Sequence, residues 1–143
     1  MSIERTLHKK TFPIIGLRSG SQVSAASLYL QVVFYLIAGV NHFINPDFYL
    51  SLIPPYFTFP QLINYLSGSI EILLSVGLIL HSTRKLAAYA IIAMLVAFIP
   101  SHVYFIQIGG CIEGGLCAPV WVGWVRLVVV HPLLMFWAWK HRK

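Results

Sequence analysis

Four long apolar segments, separated by the charged residues, dominate the pattern of this sequence. They cover residues 25–44, 62–80, 86–108 and 120–139. Each is close to the ~20 residues with which an α-helix crosses a hydrocarbon core of ~30 Å. Because lipid offers the backbone no hydrogen-bonding partner, segments of this length must be helical in a membrane. The pattern therefore predicts an all-α fold, an integral membrane four-helix bundle.

The composition supports one membrane domain without a separate soluble one. Of the 143 residues, 58% are hydrophobic and only 10% are charged. A soluble domain would carry about a quarter charged residues. The four spans leave room only for short loops. We therefore expect a basic N-terminal segment at 1–24, followed by a single transmembrane domain at 25–143.

The net charge of +6 follows the membrane, so it does not indicate a nucleic-acid partner. Nine of the ten Lys and Arg residues lie before residue 25, at 84–85 or after residue 139, and the loops 45–61 and 109–119 have none. This asymmetry is the positive-inside pattern. It predicts that both termini are cytoplasmic, with the bacterial inner membrane as the expected location. The basic first segment predicts contact with anionic membrane lipids, and a short interfacial helix ahead of Pro13 is a further option.

Prolines and small residues predict where the helices end, bend or pack closely. Pro46 ends the first span, because the residue before a proline disfavours helix. The aromatic and proline-rich segment 47–60 is expected in the outer interface or folded back over the bundle. Pro100 predicts a kink in the outer third of span three. Gly68, between two serines, suits close packing of span two.

The two cysteines, Cys111 and Cys117, share a glycine-rich loop on the predicted outer side. Disulfides persist in oxidising compartments. A structural disulfide is therefore the first interpretation. A redox-active pair is the alternative, although the spacing is not the Cys-x-x-Cys of thioredoxin-like proteins.

Each predicted span carries one ionisable side chain of special interest: His42, Glu71, His102 and Arg126. At a rise of 1.5 Å per residue, all four lie in the outer half of the bilayer, within about 10 Å of a common depth. Ionisable groups inside a membrane usually face the bundle interior and have a partner. We therefore expect one shared, ligand-binding polar site, with Glu71 and Arg126 as its central ion pair.

Two other interpretations of these residues remain. The first is a purely structural Glu71–Arg126 ion pair, with the histidines as hydrogen-bond partners and no chemistry. The second is a metal site of His42, Glu71 and His102, whose ligand types suit iron or zinc but whose cation Arg126 would repel. His131, which precedes Pro132, is interpreted as a local partner of a helix kink.

The same residues stand in motifs that resemble those of a known family. The motifs are Ala38-Gly39-x-x-His42-Phe43-x-x-Pro46-x-Phe48-Tyr49, Ile53-Pro54-Pro55-Tyr56, Ser67-Gly68-x-x-Glu71-x-x-Leu74, Phe98-x-Pro100-x-His102 and Trp124-Val125-Arg126-Leu127. Over about residues 35–139 they resemble the signatures of the DoxX-like family of small membrane proteins. The chain departs from the family where His102 replaces a common Asn, and where Val128 and Val130 replace a common Pro and Gln.

The resemblance implies a four-helix bundle and a link to redox chemistry. Some relatives form a subunit of thiosulfate:quinone oxidoreductase, others accompany redox-stress proteins, and an animal branch assists receptor assembly. One hypothesis is thus a redox-associated protein that binds a quinone or another apolar ligand in an outer-leaflet pocket. His42, His102 and Arg126 would donate hydrogen bonds, and Glu71 would relay protons. The alternative is a non-enzymatic accessory subunit or assembly factor, bound to partner subunits of a larger membrane complex.

Overall fold

The computed structural model describes residues 25–112 and 116–143. The N-terminal segment 1–24, including the helix considered ahead of Pro13, and residues 113–115 lie outside the described residues. The helices are α1 (Ala25–Ile44), α2 (Pro46–Leu50), α3 (Pro60–Ile79), α4 (Arg84–Ala97), α5 (Ile99–Gln107), α6 (Val120–Val125) and α7 (His131–Lys140), with a π-helical turn (Arg126–Val130) between α6 and α7.

Four helical stretches are long and apolar enough to cross a membrane, as the sequence predicts. They are Ala25–Ile44, Pro60–Ile79, Arg84–Gln107 and Val120–Lys140, and each boundary lies within two residues of the expected one. The chain runs up and down, so its loops gather at two ends. We call the end with Arg84, Lys85 and Lys140 the basic end, and the end with residues 45–59 and 108–119 the loop end.

Helices α1 and α3 form an antiparallel pair whose backbones touch at two glycines. A Cβ atom on Gly68 would lie 2.6 Å from the Cβ of His42 and 2.8 Å from the carbonyl oxygen of Gly39. A Cβ atom on Gly39 would lie 2.7 Å from the carbonyl oxygen of Gly68. Small residues let the two backbones approach this closely. In lipid, where no hydrophobic effect drives helices together, such close van der Waals packing stabilises their association. The close packing expected around Gly68 is confirmed.

Spans three and four are irregular where α1 and α3 are regular. In span three, α4 ends at Ala97, and Pro100 lies in the first turn of α5. The break near Pro100 is confirmed, since proline removes a helical hydrogen bond and clashes with the preceding turn. Span four widens into the π-helical turn directly before His131 and Pro132. Turns of this kind are rare in proteins, and those that do occur are frequently at functional sites.

The apolar core fills the basic half of the bundle. Leu78, Ala88, Ile91 and Ala138 have no exposed surface there. A smaller apolar cluster of Leu52, Phe105 and Ile112 closes the loop end. Between the two clusters the helices leave a cavity.

Candidate functional site

The cavity between the two apolar clusters has a volume of about 460 Å³. His42, Glu71, His102 and Arg126 all line it. We call the α1 and α3 side the first wall, the side from α4 to α7 the second wall, and residues 46–59 the cover. The cavity thus brings the four side chains together, and the expectation that they bind a ligand stays a prediction.

In the first wall, Asn64 holds the imidazole of His42 in a defined orientation. The Asn64 Nδ2 atom donates to the His42 carbonyl oxygen at 3.0 Å, so the Asn64 Oδ1 atom must accept from His42. The His42 Nδ1 atom lies 2.7 Å from this Oδ1 atom. An amide oxygen only accepts, so Nδ1 carries the hydrogen. In the neutral ring, Nε2 is therefore left as a hydrogen-bond and proton acceptor.

Glu71 faces this Nε2 atom rather than Arg126. The distance from His42 Nε2 to Glu71 Oε2 is 3.9 Å, within ion-pair range but too long for a hydrogen bond. Both side chains are buried, at 6% and 5% exposure. The predicted Glu71–Arg126 pair is wrong, because α1 and α3 pack directly together and bring His42 to Glu71 first. Glu71 is also the twelfth of the 20 residues of α3, which is mid-helix rather than in the outer half.

The cover folds back over the first wall, as one of the two expectations for this segment stated. It begins with the short helix α2, which the sequence did not predict. The ring of Tyr49 stacks on the imidazole of His42, with 3.6 Å between the centroids. The Nδ2 atom of Asn41 donates to the Tyr49 hydroxyl oxygen at 2.9 Å. Leu52 and Phe57 add apolar surface to the same side of the cavity.

In the second wall, two histidines contact each other edge to face. The ring centroids of His102 and His131 are 4.6 Å apart. The Nε2 atom of His131 lies 2.6 Å from the carbonyl oxygen of Leu95, so this nitrogen donates. The bond joins span four to span three, so the interpretation of His131 as a local kink partner is wrong. The ring is buried, and it lines the cavity.

Arg126 reaches the cavity from the start of the π-helical turn. The residue is also exposed. Within residues 25–112 and 116–143, no carboxylate lies within ion-pair distance of its guanidinium. The group therefore has hydrogen-bond donors to offer to an acceptor in the cavity.

The two walls keep the potential metal ligands apart. Across the described parts of the chain, no three His, Cys, Asp or Glu side chains come close enough to hold a metal ion. Glu71 is near His42, whereas the contact of His102 is with His131. The alternative site of His42, Glu71 and His102 is therefore not assembled.

The sequence interpretation missed three residues that shape the cavity: Tyr49, Asn64 and, as a site residue, His131. A signal existed for Asn64, which precedes Glu71 by two helical turns and shares its face. An amide in an apolar span needs a partner, just as a charged group does. Tyr49 depends on how the cover folds back, and spacing along the chain does not report that.

The cysteine loop lies beside the cover at the loop end. The Cα atoms of Cys111 and Cys117 are 4.0 Å apart, which makes the pair capable of forming a disulfide. Gly109 and Gly110 have positive φ angles of 80° and 76°, so this turn needs glycine. Ile112 packs against Leu52 of the cover. The loop therefore supports the cover from one side.

The protein is a bundle of four apolar helices, a fold compatible with an integral membrane protein. The chain belongs to the family described as domain of unknown function DUF8561, whose model matches residues 31–142. The matched range includes every residue that lines the cavity. No curated protein and no solved structure matches the chain.

Proposed function

We propose that the protein binds a quinone, or an apolar ligand with similar headgroup chemistry, and takes part in a redox reaction of the membrane. The observation that carries this proposal is the cavity, in which two separate hydrogen-bonding walls meet among apolar side chains. A volume of about 460 Å³ falls within the range of ~300–1,000 Å³ that is typical of small-molecule sites. Apolar surface with a few fixed polar groups is also typical of such sites.

The polar groups suit the two carbonyl oxygens of a quinone headgroup. Each carbonyl accepts hydrogen bonds, and the second wall offers the guanidinium of Arg126 and the ring of His102 as donors. In the first wall, His42 and Glu71 can share one proton. The proton can reside on the carboxyl group or on Nε2 without changing the net charge of the pair.

A quinone that is reduced needs a proton donor beside its headgroup, and this pair can serve as one. Reduction of one quinone to a quinol consumes two electrons and two protons. The electrons would come from a partner protein that carries a redox group. The His42–Glu71 pair would pass protons to the headgroup oxygens and be reprotonated from water, so that atoms and charge balance.

The resemblance to the DoxX-like family supports a redox association but does not decide the reaction. With it, we propose that both termini are cytoplasmic and that the protein lies in the bacterial inner membrane. The basic end would then face the cytoplasm, as the positive-inside pattern indicates. Membrane lipids and partner subunits are the proposed partners.

We further propose that Cys111 and Cys117 are bonded in the mature protein. The short Cα–Cα distance and the supporting contact of Ile112 with the cover favour a structural bond. Alkylation of non-reduced protein should find both thiols blocked. Two free thiols would contradict this assignment.

The decisive experiment fills the cavity without touching its polar groups. The full chain is purified in detergent, its co-extracted quinones are identified by mass spectrometry, and a short-chain ubiquinone analogue is titrated by calorimetry. Ala38→Phe, in the first wall, should abolish binding. Ala93→Phe places the same ring on the exposed surface of α4 and should bind like the wild type.

A second pair of variants tests the donors. His102→Ala should weaken binding about tenfold, which corresponds to ~1.4 kcal/mol, whereas His81→Ala, on the exposed surface at the basic end, should have no effect. If Ala38→Phe binds the analogue like the wild type, the proposal is wrong. A persistent partner subunit without quinone binding would favour the accessory-subunit hypothesis instead.

A further inference from the structure

The interface of α1 and α3 buries a further set of polar groups, which extends from Tyr35 and Glu71 at the cavity toward the basic end. Gln31 is fully buried, and Tyr35 is 2% exposed. Among the described residues, neither amide atom of Gln31 has a hydrogen-bond partner, and the Tyr35 hydroxyl and the Glu71 Oε2 atom have none either. Such groups are rare in native proteins, and each one requires an explanation.

These groups follow one line along the bundle. Ser27, Gln31 and Tyr35 recur every fourth residue of α1, so they share a face at intervals of ~6 Å. The contact of Gly39 with Gly68 fixes the antiparallel register. This register places Tyr35 at the level of Glu71, and both side chains line the cavity. The line therefore begins at the proton-sharing pair of the cavity.

Ser75 adds a hydroxyl from the other helix. The same register brings it to the level of Gln31, and it is fully buried. Its hydroxyl donates to the carbonyl oxygen of Ile72 at 2.7 Å, which leaves its own oxygen free to accept. Both helices thus contribute polar groups at the depth where Gln31 lies.

The other end of the line reaches a titratable side chain at the basic end. The Ser27 Oγ atom accepts from Trp137 Nε1 at 2.9 Å and lies 3.4 Å from His141 Nε2. His141 is buried, at 3% exposure. Its burial and the neighbouring cations Arg84 and Lys140 lower its pKa. The imidazole is therefore mainly neutral at pH 7 and can accept a proton from water.

A purely structural role does not account for Gln31. Asn64 shows what such a role looks like, because both ends of its amide bond to His42. Gln31 buries the same amide group with neither end bonded within the described chain. Intervals of ~6 Å between polar groups suit bridging water, which needs two to four polar partners. The line offers such partners at every turn.

We propose that this line is a hydrated proton path from the basic end of the bundle to Glu71. One proton is taken up from the aqueous phase near His141, and one proton arrives on the Glu71 carboxylate, which becomes a carboxylic acid. Water held by the Gln31 amide, together with the hydroxyls of Ser27 and Tyr35, passes the proton along in between, and no electron moves. The path rests on the α1–α3 interface and is independent of the ligand in the cavity.

The test follows hydrogen–deuterium exchange at Glu71 by infrared spectroscopy. The full chain in lipid nanodiscs is adsorbed on the internal-reflection crystal of the spectrometer. The buffer is then changed from H₂O to D₂O at a pH where the Glu71 carboxylic acid is present. Its C=O band is identified by its loss in Glu71→Gln. Tyr35→Phe removes one hydroxyl, and Gln31→Leu removes the amide. Val32→Leu changes a buried apolar neighbour of Gln31 and serves as the control.

We expect exchange to slow by about tenfold in Tyr35→Phe and Gln31→Leu, which corresponds to a barrier higher by ~1.4 kcal/mol, because each variant removes one polar group from the line. Val32→Leu should exchange like the wild type. Exchange at the wild-type rate in both test variants would overturn the proposal, since Glu71 would then receive its protons through the cavity. A Glu71 band missing at every pH from roughly 4 to 9 would also contradict it. Tyr35→Phe preserves shape, so it remains informative if Gln31→Leu does not fold.

Discussion

The two walls of the cavity are built by opposite means. The first wall has regular helices in backbone contact at Gly39 and Gly68, and its His42 makes two hydrogen bonds with Asn64, donating one and accepting the other. The second wall is broken near Pro100 and widened by a π-helical turn, and a hydrogen bond from His131 to the Leu95 carbonyl oxygen joins its two spans. Regular packing thus sets the distance between His42 and Glu71 in one wall, while irregular backbone brings Arg126 and His131 to the cavity in the other.

The largest effect should follow from breaking the contact that defines the first wall. Gly68→Ala places a Cβ atom 2.6 Å from the Cβ of His42. The helices must separate, and we expect about 3 kcal/mol of destabilisation. Thermal unfolding of the variant and the wild type in the same detergent measures this loss of stability.

Gly77→Ala is the matched control for this change. Its Cβ atom would meet the Cβ of Ala87 at 3.0 Å, where a small shift suffices. The control should lose clearly less stability than Gly68→Ala. An equal loss of stability in both variants would show that the contact at Gly68 contributes no more to the fold than ordinary helix packing.

A smaller effect should follow from releasing His42 within an intact helix pair. Asn64→Leu keeps the branching at Cγ but leaves the His42 Nδ1 hydrogen without its acceptor. We expect about 2 kcal/mol of destabilisation, the usual penalty of an unpaired buried donor. Chemical denaturation measures it, and Asn64→Gln, which can partly restore the bonds, should lose less.

The corresponding change in the second wall should be milder. His131→Leu removes the bond to the Leu95 carbonyl oxygen, but that oxygen also accepts from the backbone N–H of Phe98 at 3.1 Å. No group is left unpaired, so we expect about 1 kcal/mol in the same denaturation assay. A loss larger than that of Asn64→Leu would reverse the proposed contrast between the walls.

The smallest effect on stability should come from the π-helical turn itself. Deletion of Val128, which is exposed, should restore an α-helical register and rotate Arg126 by ~100° relative to His131. Stability should stay within about 1 kcal/mol. Binding of the ubiquinone analogue should weaken markedly in calorimetry. Unchanged binding would show that Arg126 does not need its position in the turn.

The sequence predicted the spans to within two residues, because length and apolarity alone determine them. It also predicted the break near Pro100 and the close contact at Gly68, which are local properties of single residues. It paired Glu71 with the wrong partner. Depth along a helix follows from residue number, but the direction of a side chain around the axis depends on which helices pack together. The preference of α3 for α1 arises from two glycines that lie 29 positions apart.

The position of Glu71 near the middle of α3 has an electrical consequence. In a bundle that spans a membrane, a proton that reached it from either end would cross about half of the hydrocarbon core. At a membrane potential of about 100 mV, that displacement changes its free energy by ~1.2 kcal/mol, half of the value for a full crossing. A proton supplied from the negative cytoplasmic side moves against the field, and one supplied from outside moves with it. Any proton-coupled reaction at Glu71 would thus respond to voltage, and the sign of the response would reveal which end supplies the proton.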